Sequence, residues 1–367
     1  MCPEIREMAK PLTPLFDAHL DLAWNALSFN RDLTLSLDDL CKADSQYNDA
    51  PFRGNCTVSL DELARADLHI CVATLLARSG PSPPLATLRR DLDYVHPSIA
   101  HAHAHGQFAY YKWLERSQRA CIIRTVDDLN THWANPETLG LIISFEGCDP
   151  ILDPDDVHRW YKMGVRAAGL THYGAGQYAC GTNTTDGLTP RGYALLREFE
   201  SLNIALDVTH LSDRGMADVM KYYSGPILAS HHNCRALVPG QRQLSDGQIR
   251  DLIARDAVIG IAFDAWMLYP GWVRGETSRT VVNMSAAVDH IDHICDLAGN
   301  TKHIAIGSDL DGGFGSDQTP IGLDCYSDLH LLTKLLHERG YSAADVNGIF
   351  YGNWLKFFRH CLPQIHA

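Results

Sequence analysis

The sequence predicts an α/β chain folded as a (β/α)8 TIM barrel with insertions after strands one and two. Three observations carry this expectation. Short apolar runs rich in β-branched residues alternate with longer amphipathic segments. Eight such strand-then-helix units can be counted. Polar, metal-competent residues follow most of the strands, where a barrel of this kind builds its active site.

The candidate strands are Leu15–Leu20, Leu68–Leu75, Leu141–Phe145, Val165–Thr171, Ile204–Thr209, Pro226–Ser230, Ala257–Phe263 and His303–Ser308. Each is nearly continuous in hydrophobicity, as a parallel strand buried on both faces requires. Between them lie helical patterns at Gly192–Leu202, Asp213–Tyr222, Ser245–Arg255 and Val282–Ala298. Such a barrel typically needs about 250 residues, and the chain has 367. The surplus falls in two expected insertions. One spans Asp32–Arg65, with Pro51, Gly54 and few apolar runs; the other covers 81–119, where Pro81–Pro84 precede a long helical stretch to Arg119. No internal repeat, low-complexity tract or linker divides the chain, so residues 1–367 are read as a single domain.

Composition narrows the function. Hydrophobic residues make up 46% and charged residues 20%, which excludes a disordered chain, a collagen-like repeat and a coiled coil. Lys+Arg number 31 against 44 Asp+Glu, a net charge of −13, and no basic block relieves that balance. Nucleic acid and anionic membrane are therefore not the expected partners. The 11 cysteines are odd in number and include no C-x-x-C pair, which favours reduced thiols and a cytoplasmic location. Met1–Pro14 carries charges and prolines without an apolar h-region, so no signal peptide is expected. No stretch approaches the roughly 20 apolar residues of a membrane helix.

The chemistry is read from the strand ends. The first strand ends Asp17-Ala18-His19-Leu20-Asp21, the third Phe145-Glu146-Gly147, the fourth Thr171-His172, the fifth Asp207-Val208-Thr209-His210, the sixth Ser230-His231-His232 and the eighth Ser308-Asp309-Leu310-Asp311. On a strand, His19 and Asp21 share one side because side chains repeat every second residue. Imidazole and carboxylate without thiolate suit Zn²⁺ in an open catalytic site. His210 and His231, from adjacent strands, can hold a second ion, and Glu146 has two oxygens with which to bridge both. Two such ions, about 3.5–4 Å apart, would acidify a shared water. Any one strand-end histidine is ordinarily a packed or hydrogen-bonded side chain; the specificity lies in the set.

Other polar features carry less. The His101, His103, His105 tract is read as the solvated face of a surface helix, His290 and His293 as structural or helix-capping, His232 as pointing away from His231, and Asp311 as orienting the loop around Asp309. The cysteines are read as small buried hydrophobes.

Taken in order, Asp17–Asp21, Phe145–Gly147, Gly164–Arg166 with Leu170–His172, Gly187–Pro190, Asp207–His210, Ser230-His231, Asp289–Ile294 and Gly307–Gly312 resemble the membrane (renal) dipeptidase family, binuclear zinc peptidases of the amidohydrolase-like class. The resemblance runs over nearly the whole chain. It implies a dipeptidase acting on L-L and also L-D dipeptides, with two Zn²⁺ per chain: His19 and Asp21 on one, His210 and His231 on the other, Glu146 between. It also implies that His172 steadies the oxyanion, that Asp309 manages the proton passed to the leaving amine, and that Arg242 grips the substrate carboxylate. A homodimer is a further expectation from the resemblance. Two departures stand out. The run Ala262-Phe263-Asp264-Ala265-Trp266 replaces a polar residue and aromatic pair, leaving Asp264 either to attract a substrate amino group or to cap a loop. The familiar animal members are exported and lipid-anchored, whereas this sequence shows neither signal. Alternatives left open are an amidohydrolase for another small amide, such as an N-acyl amino acid or a lactam, and a non-hydrolytic barrel that keeps the metal site.

Overall fold

Nine parallel strands form the centre of the computed structural model, which describes residues 12–80 and 89–364. They are β1 (Leu15–Leu20), β2 (Leu68–Leu75), β3 (Ala120–Ile122), β4 (Leu139–Glu146), β5 (Val165–Gly169), β6 (Ala205–Asp207), β7 (Ile227–Leu228), β8 (Ile259–Ile261) and β9 (Ile304–Ile306). Eight of them follow the expected order around a (β/α)8 barrel: β1-β2-β4-β5-β6-β7 in one sheet and β8-β9 in a second. Backbone bonds from Ala229 N to Val258 O (3.0 Å) and from Gly260 N to Ala229 O (2.8 Å) carry the sheet from β7 to β8. The strand β3 was not expected. It is three residues long and pairs with the first half of β4, too short to give a periodic signal.

The later strands are shorter than their apolar runs. At the catalytic end, side chains replace the ladder: Asp207 Oδ1 accepts from both Thr209 N and Ser230 N, at 3.0 Å each. Asp17 does the same between the last strand and the first. Its Oδ1 accepts from His19 N (3.0 Å) and Ser308 N (2.8 Å), and its Oδ2 accepts from the Tyr326 hydroxyl at 2.8 Å. A buried aspartate thus closes the ring where β9 meets β1.

Two apolar layers support this ring. Phe16, Val72, Ile142, Ala167, Ala205 and Ala305 meet Trp354 and Phe358 of the C-terminal helix (Asn353–Cys361), which plugs the end opposite the strand-end residues. Trp354 Nε1 donates to Ile306 O at 2.8 Å, and the Phe16 and Phe358 rings stack at 5.4 Å. A larger layer fills the space between strands and outer helices.

The segment expected as the first insertion contains helices Leu37–Asp44 and Leu60–Arg65, each begun by a serine whose side chain accepts from the N3 amide. It is pinned to the loop after β9. Asp311 accepts from Thr57 N (2.8 Å), Thr57 Oγ1 (2.7 Å) and Val58 N (3.2 Å), and lies 3.6 Å from Arg31. In the second expected insertion, helix Pro97–Arg116 follows a capping His96, while Pro81–Pro84 lie outside the described residues. The cysteines are free thiols, ten of them among the described residues. Among those residues no helix is long and apolar enough to cross a membrane.

Because Asp311 anchors two buried amides and a buried guanidinium, Asp311→Ala should cost about 3 kcal/mol. Urea denaturation monitored by circular dichroism measures it; a midpoint unchanged from wild type would contradict the anchoring role.

Candidate active site at the mouth of the barrel

The predicted residues converge on the C-terminal ends of the strands. His19 lies near the end of β1 and Glu146 ends β4, while His172, His210, His231 and Asp309 follow β5, β6, β7 and β9. Asp21 arrives differently from expectation. It lies beyond β1 as the N-cap of helix Leu22–Ser28. Asp17 pairs with Cys71 and Leu20 with Ala73, so β1 carries one residue more than β2 there. That bulge breaks the strict alternation and re-aims His19. His210 and Asp309 have φ of +69° and +58°, a left-handed backbone that costs a non-glycine residue about 1–2 kcal/mol. A cavity of about 340 Å³ opens here, lined by Asp21, Glu146, His172, His210, Arg242, Asp264 and Asp309 among others. A larger hollow of about 610 Å³ lies at the other end of the barrel and includes none of them.

Glu146 is the hub. Its Oε1 lies 3.2 Å from His210 Nε2, 3.6 Å from His231 Nε2 and 3.5 Å from His172 Nε2, and its Oε2 lies 3.5 Å from His19 Nε2. His19 Nε2 is also 3.7 Å from Asp21 and 3.8 Å from Asp309. Three groups bring their ligand atoms within 4.8 Å of one another: His19–Asp21–Glu146, Glu146–His210–His231 and His19–His231–Asp309. Glu146 is common to the first two.

Hydrogen bonds on the far ring nitrogens fix where each proton sits. Ser230 Oγ is 2.8 Å from His231 Nδ1, 3.3 Å from His19 Nδ1 and 3.3 Å from Thr209 Oγ1. When its own proton goes to Thr209, the hydroxyl can accept from both Nδ1–H groups. Thr182 Oγ1 donates to the His210 carbonyl at 3.2 Å and therefore accepts from His210 Nδ1, also at 3.2 Å. The His210 Nε2 lone pair then faces Glu146, and with Ser230 so oriented those of His19 and His231 do too, although, against burial, the Glu146 and Asp21 carboxylates hold the His19 imidazole well above its usual range. His172 is the reverse case: Arg78 Nη1, which can only donate, meets its Nδ1 at 3.1 Å. The Nε2 of neutral His172 consequently carries the proton and points it into the cavity.

These residues fit a divalent cation. His19 Nε2 and Glu146 Oε2 are buried and lack a hydrogen-bond partner among the described residues. His210 Nε2 and His231 Nε2 aim lone pairs at each other from 3.2 Å, a repulsive contact without a cation between them. Burial, then the Arg242 cation, holds His210 well below the usual imidazole range; burial, then His19, does the same for His231. Both are therefore the neutral imidazoles a metal needs. Burial first, then the Asp21 carboxylate, raises the Glu146 carboxyl to about 7.

The remaining predicted residues divide. Arg242 is buried, donates Nη2 to His231 O at 3.0 Å and leaves Nη1 without a partner. Asp264 lines the cavity and also caps a helix: its Oδ1 accepts from Trp266 N at 3.3 Å and Gln318 Nε2 at 2.6 Å, and burial raises its carboxyl to about 6. Asp309 is half-buried beside His19, and desolvation, with Glu146 and Asp21, pushes its carboxyl up against the pull of His19. His290 is structural, accepting from Cys234 N at 3.0 Å. The His101 tract differs from expectation: it is half-buried, with His105 stacked on Trp160 at 4.3 Å and His101 bonded to Pro150 O at 2.8 Å. Sequence reasoning missed Arg78, Thr182 and Ser230. Only Ser230, adjacent to His231, had a positional signal.

A parallel barrel that gathers neutral imidazoles and a shared carboxylate at its mouth defines a metal-dependent hydrolase. The sequence matches, over residues 5–362, the family described as membrane dipeptidase (peptidase family M19). The chain belongs to that family, which makes it a hydrolase of the metallo-dipeptidase class. It is similar to the dipeptidase aclJ of Aspergillus oryzae, 28% identical over 227 residues, covering 60% of this chain and 51% of that protein. It thus spans about half the length of that curated relative. An uncharacterised protein of Klebsiella pneumoniae is 28% identical over 218 residues, 57% of this chain and 77% of that one. In fold, the chain resembles a metallo peptidase of Rhodobacter sphaeroides liganded with a phosphinate mimic of the dipeptide L-Ala-D-Ala. The TM-score is 0.77 at 21% identity, covering 96% of this chain and 100% of the other.

Ser230 touches both His19 and His231, so Ser230→Ala should weaken metal affinity about 10–100-fold. Competition against a chromophoric chelator reads this directly, and unchanged affinity would refute the shared orienting role.

Proposed function

We propose that the chain hydrolyses dipeptides, L-D as well as L-L, with two zinc ions held by His19, Asp21, Glu146, His210 and His231. The observation that carries this reading is the contrast in proton placement: three imidazoles offer lone pairs around Glu146, and His172 offers a proton. Bound there, the ions would supply a water acidic enough to attack a peptide carbonyl near neutral pH. The protein's own groups do the rest. Arg242, a buried guanidinium with a free Nη1, receives the substrate's C-terminal carboxylate. His172 Nε2–H donates to the carbonyl oxygen as negative charge develops on it. Asp309 carries the proton to the departing amine. The phosphinate bound by the Rhodobacter sphaeroides protein mimics an L-D dipeptide, which supports including that stereochemistry.

Metal analysis should return about two zinc ions per chain after reconstitution. Arg242→Ala should lower kcat/KM for L-Ala-L-Ala about 100-fold or more, because a buried carboxylate loses its partner. The same change should leave any turnover of the corresponding dipeptide amide unaltered; equal losses on both substrates would remove Arg242 from carboxylate binding. Arg78→Met should free His172 to adopt the other tautomer, lowering kcat about 10–100-fold with little change in KM. A loss confined to KM would assign Arg78 to substrate binding instead.

A further inference from the structure

Four arginines line the catalytic cavity: Arg78, Arg89, Arg242 and Arg274. Two are already neutralised by aspartates. Arg78 makes a two-pronged pair with Asp93, at 2.7 and 2.9 Å, and Arg89 one with Asp91, at 3.3 and 2.6 Å. The other two have no carboxylate within ion-pair distance among the described residues. Arg242 bonds only a backbone carbonyl, and its Nη1 is buried without a partner. Arg274 is half-buried and likewise lacks a carboxylate partner. Its Nη2 donates to Gly313 O at 3.1 Å, its Nε is buried without a partner, and its guanidinium sits 5.9 Å from the centre of the Phe52 ring. Asp264, a carboxylate lining the same cavity, feels Arg274 only at a distance: it makes no ion pair with it, and its Oδ1 bonds Gln318 and Trp266 instead.

A buried guanidinium donor without a partner is costly, and a carboxylate is its best complement. A neutral dipeptide brings one carboxylate, which the proposed function assigns to Arg242. The second guanidinium, half-buried with a buried, unpartnered Nε, is best complemented by a second carboxylate from the substrate. We infer that this enzyme selects dipeptides bearing an acidic side chain, and that Arg274 is the specificity-determining residue that receives the side-chain carboxylate. The inference rests on the dipeptidase reading and adds to it the class of substrate. Trp24 and Trp266, which also line the cavity, give the aliphatic stem of such a side chain an apolar wall.

The test uses isosteres, so that charge alone differs. For the zinc-reconstituted wild-type enzyme, kcat/KM is compared for L-Ala-L-Glu against L-Ala-L-Gln, and for L-Glu-L-Ala against L-Gln-L-Ala. The Glu member of one pair should be favoured about tenfold or more, as a charge-assisted bidentate contact predicts. The pair that responds identifies which residue of the dipeptide faces Arg274. Arg274→Ala should reduce that preference at least fivefold. A preference below about threefold in both wild-type pairs overturns the inference while leaving dipeptide hydrolysis intact. So does a preference that survives Arg274→Ala undiminished. The wild-type comparison decides alone should the variant fail to fold. If none of the four peptides is cleaved, the dipeptidase reading falls, and the inference with it.

Discussion

The site depends on one constraint: a buried carboxylate, Glu146, is surrounded by four imidazoles whose protons are dictated from behind. Thr182 commits its proton to a backbone carbonyl and so accepts from His210 Nδ1, while Ser230, when it donates to Thr209, accepts from Nδ1 of His19 and His231. Arg78 has only donors, so it does the opposite to His172. The same side chain, placed four times around one acid, is thereby divided into three electron-pair donors and one proton donor. Chemistry of this kind is fixed by the second layer of residues, and a ligand inventory alone does not reveal it.

The barrel is built to hold that second layer still. Asp17 and Asp207 perform equivalent work, each accepting the amide two residues ahead and one from the neighbouring strand end. Beneath Ser230 the strands approach so closely that a Cβ on Gly260 or Gly307 would fall 1.9 or 1.7 Å from the Ser230 carbonyl oxygen. Two side-chain-free positions therefore let the hydroxyl that orients His19 and His231 sit where both rings can reach it. Close packing at that point couples any strand displacement to the placement of the imidazole cluster.

How much of this was legible follows from the kind of signal each feature leaves. Strands buried on both faces write continuous apolar runs, and the residues after them were visible as interruptions; His19, Glu146, His172, His210, His231 and Asp309 were all read in that way. Asp21 was named for a different geometric reason from the one that brings it in, because a bulge in β1 has no composition of its own. β3 was too short to register. Arg78 is 94 residues from His172, and nothing in its local sequence announces that its fork will meet an imidazole. The half-buried His101 tract misled because alternating Ala and His reads as polar, while the packing of His105 on Trp160 comes from a distant helix.

The electrostatics of the site also connect metal binding to folding. Burying Glu146, Asp21 and Asp309 near one another raises the Glu146 and Asp309 carboxyls, and burying His19 Nε2 and Glu146 Oε2 without partners adds an uncompensated desolvation. Each of these terms opposes the folded chain, and each would be reversed by a divalent cation among the same atoms. A ligand that binds the folded state alone stabilises it by about 2.7 kcal/mol at a hundredfold excess over its dissociation constant. The left-handed backbone at His210 and Asp309 aims both side chains into the same cluster, where a bound cation would offset the strain. The barrel, on this argument, supplies the positions and the cation supplies the reason those positions are stable.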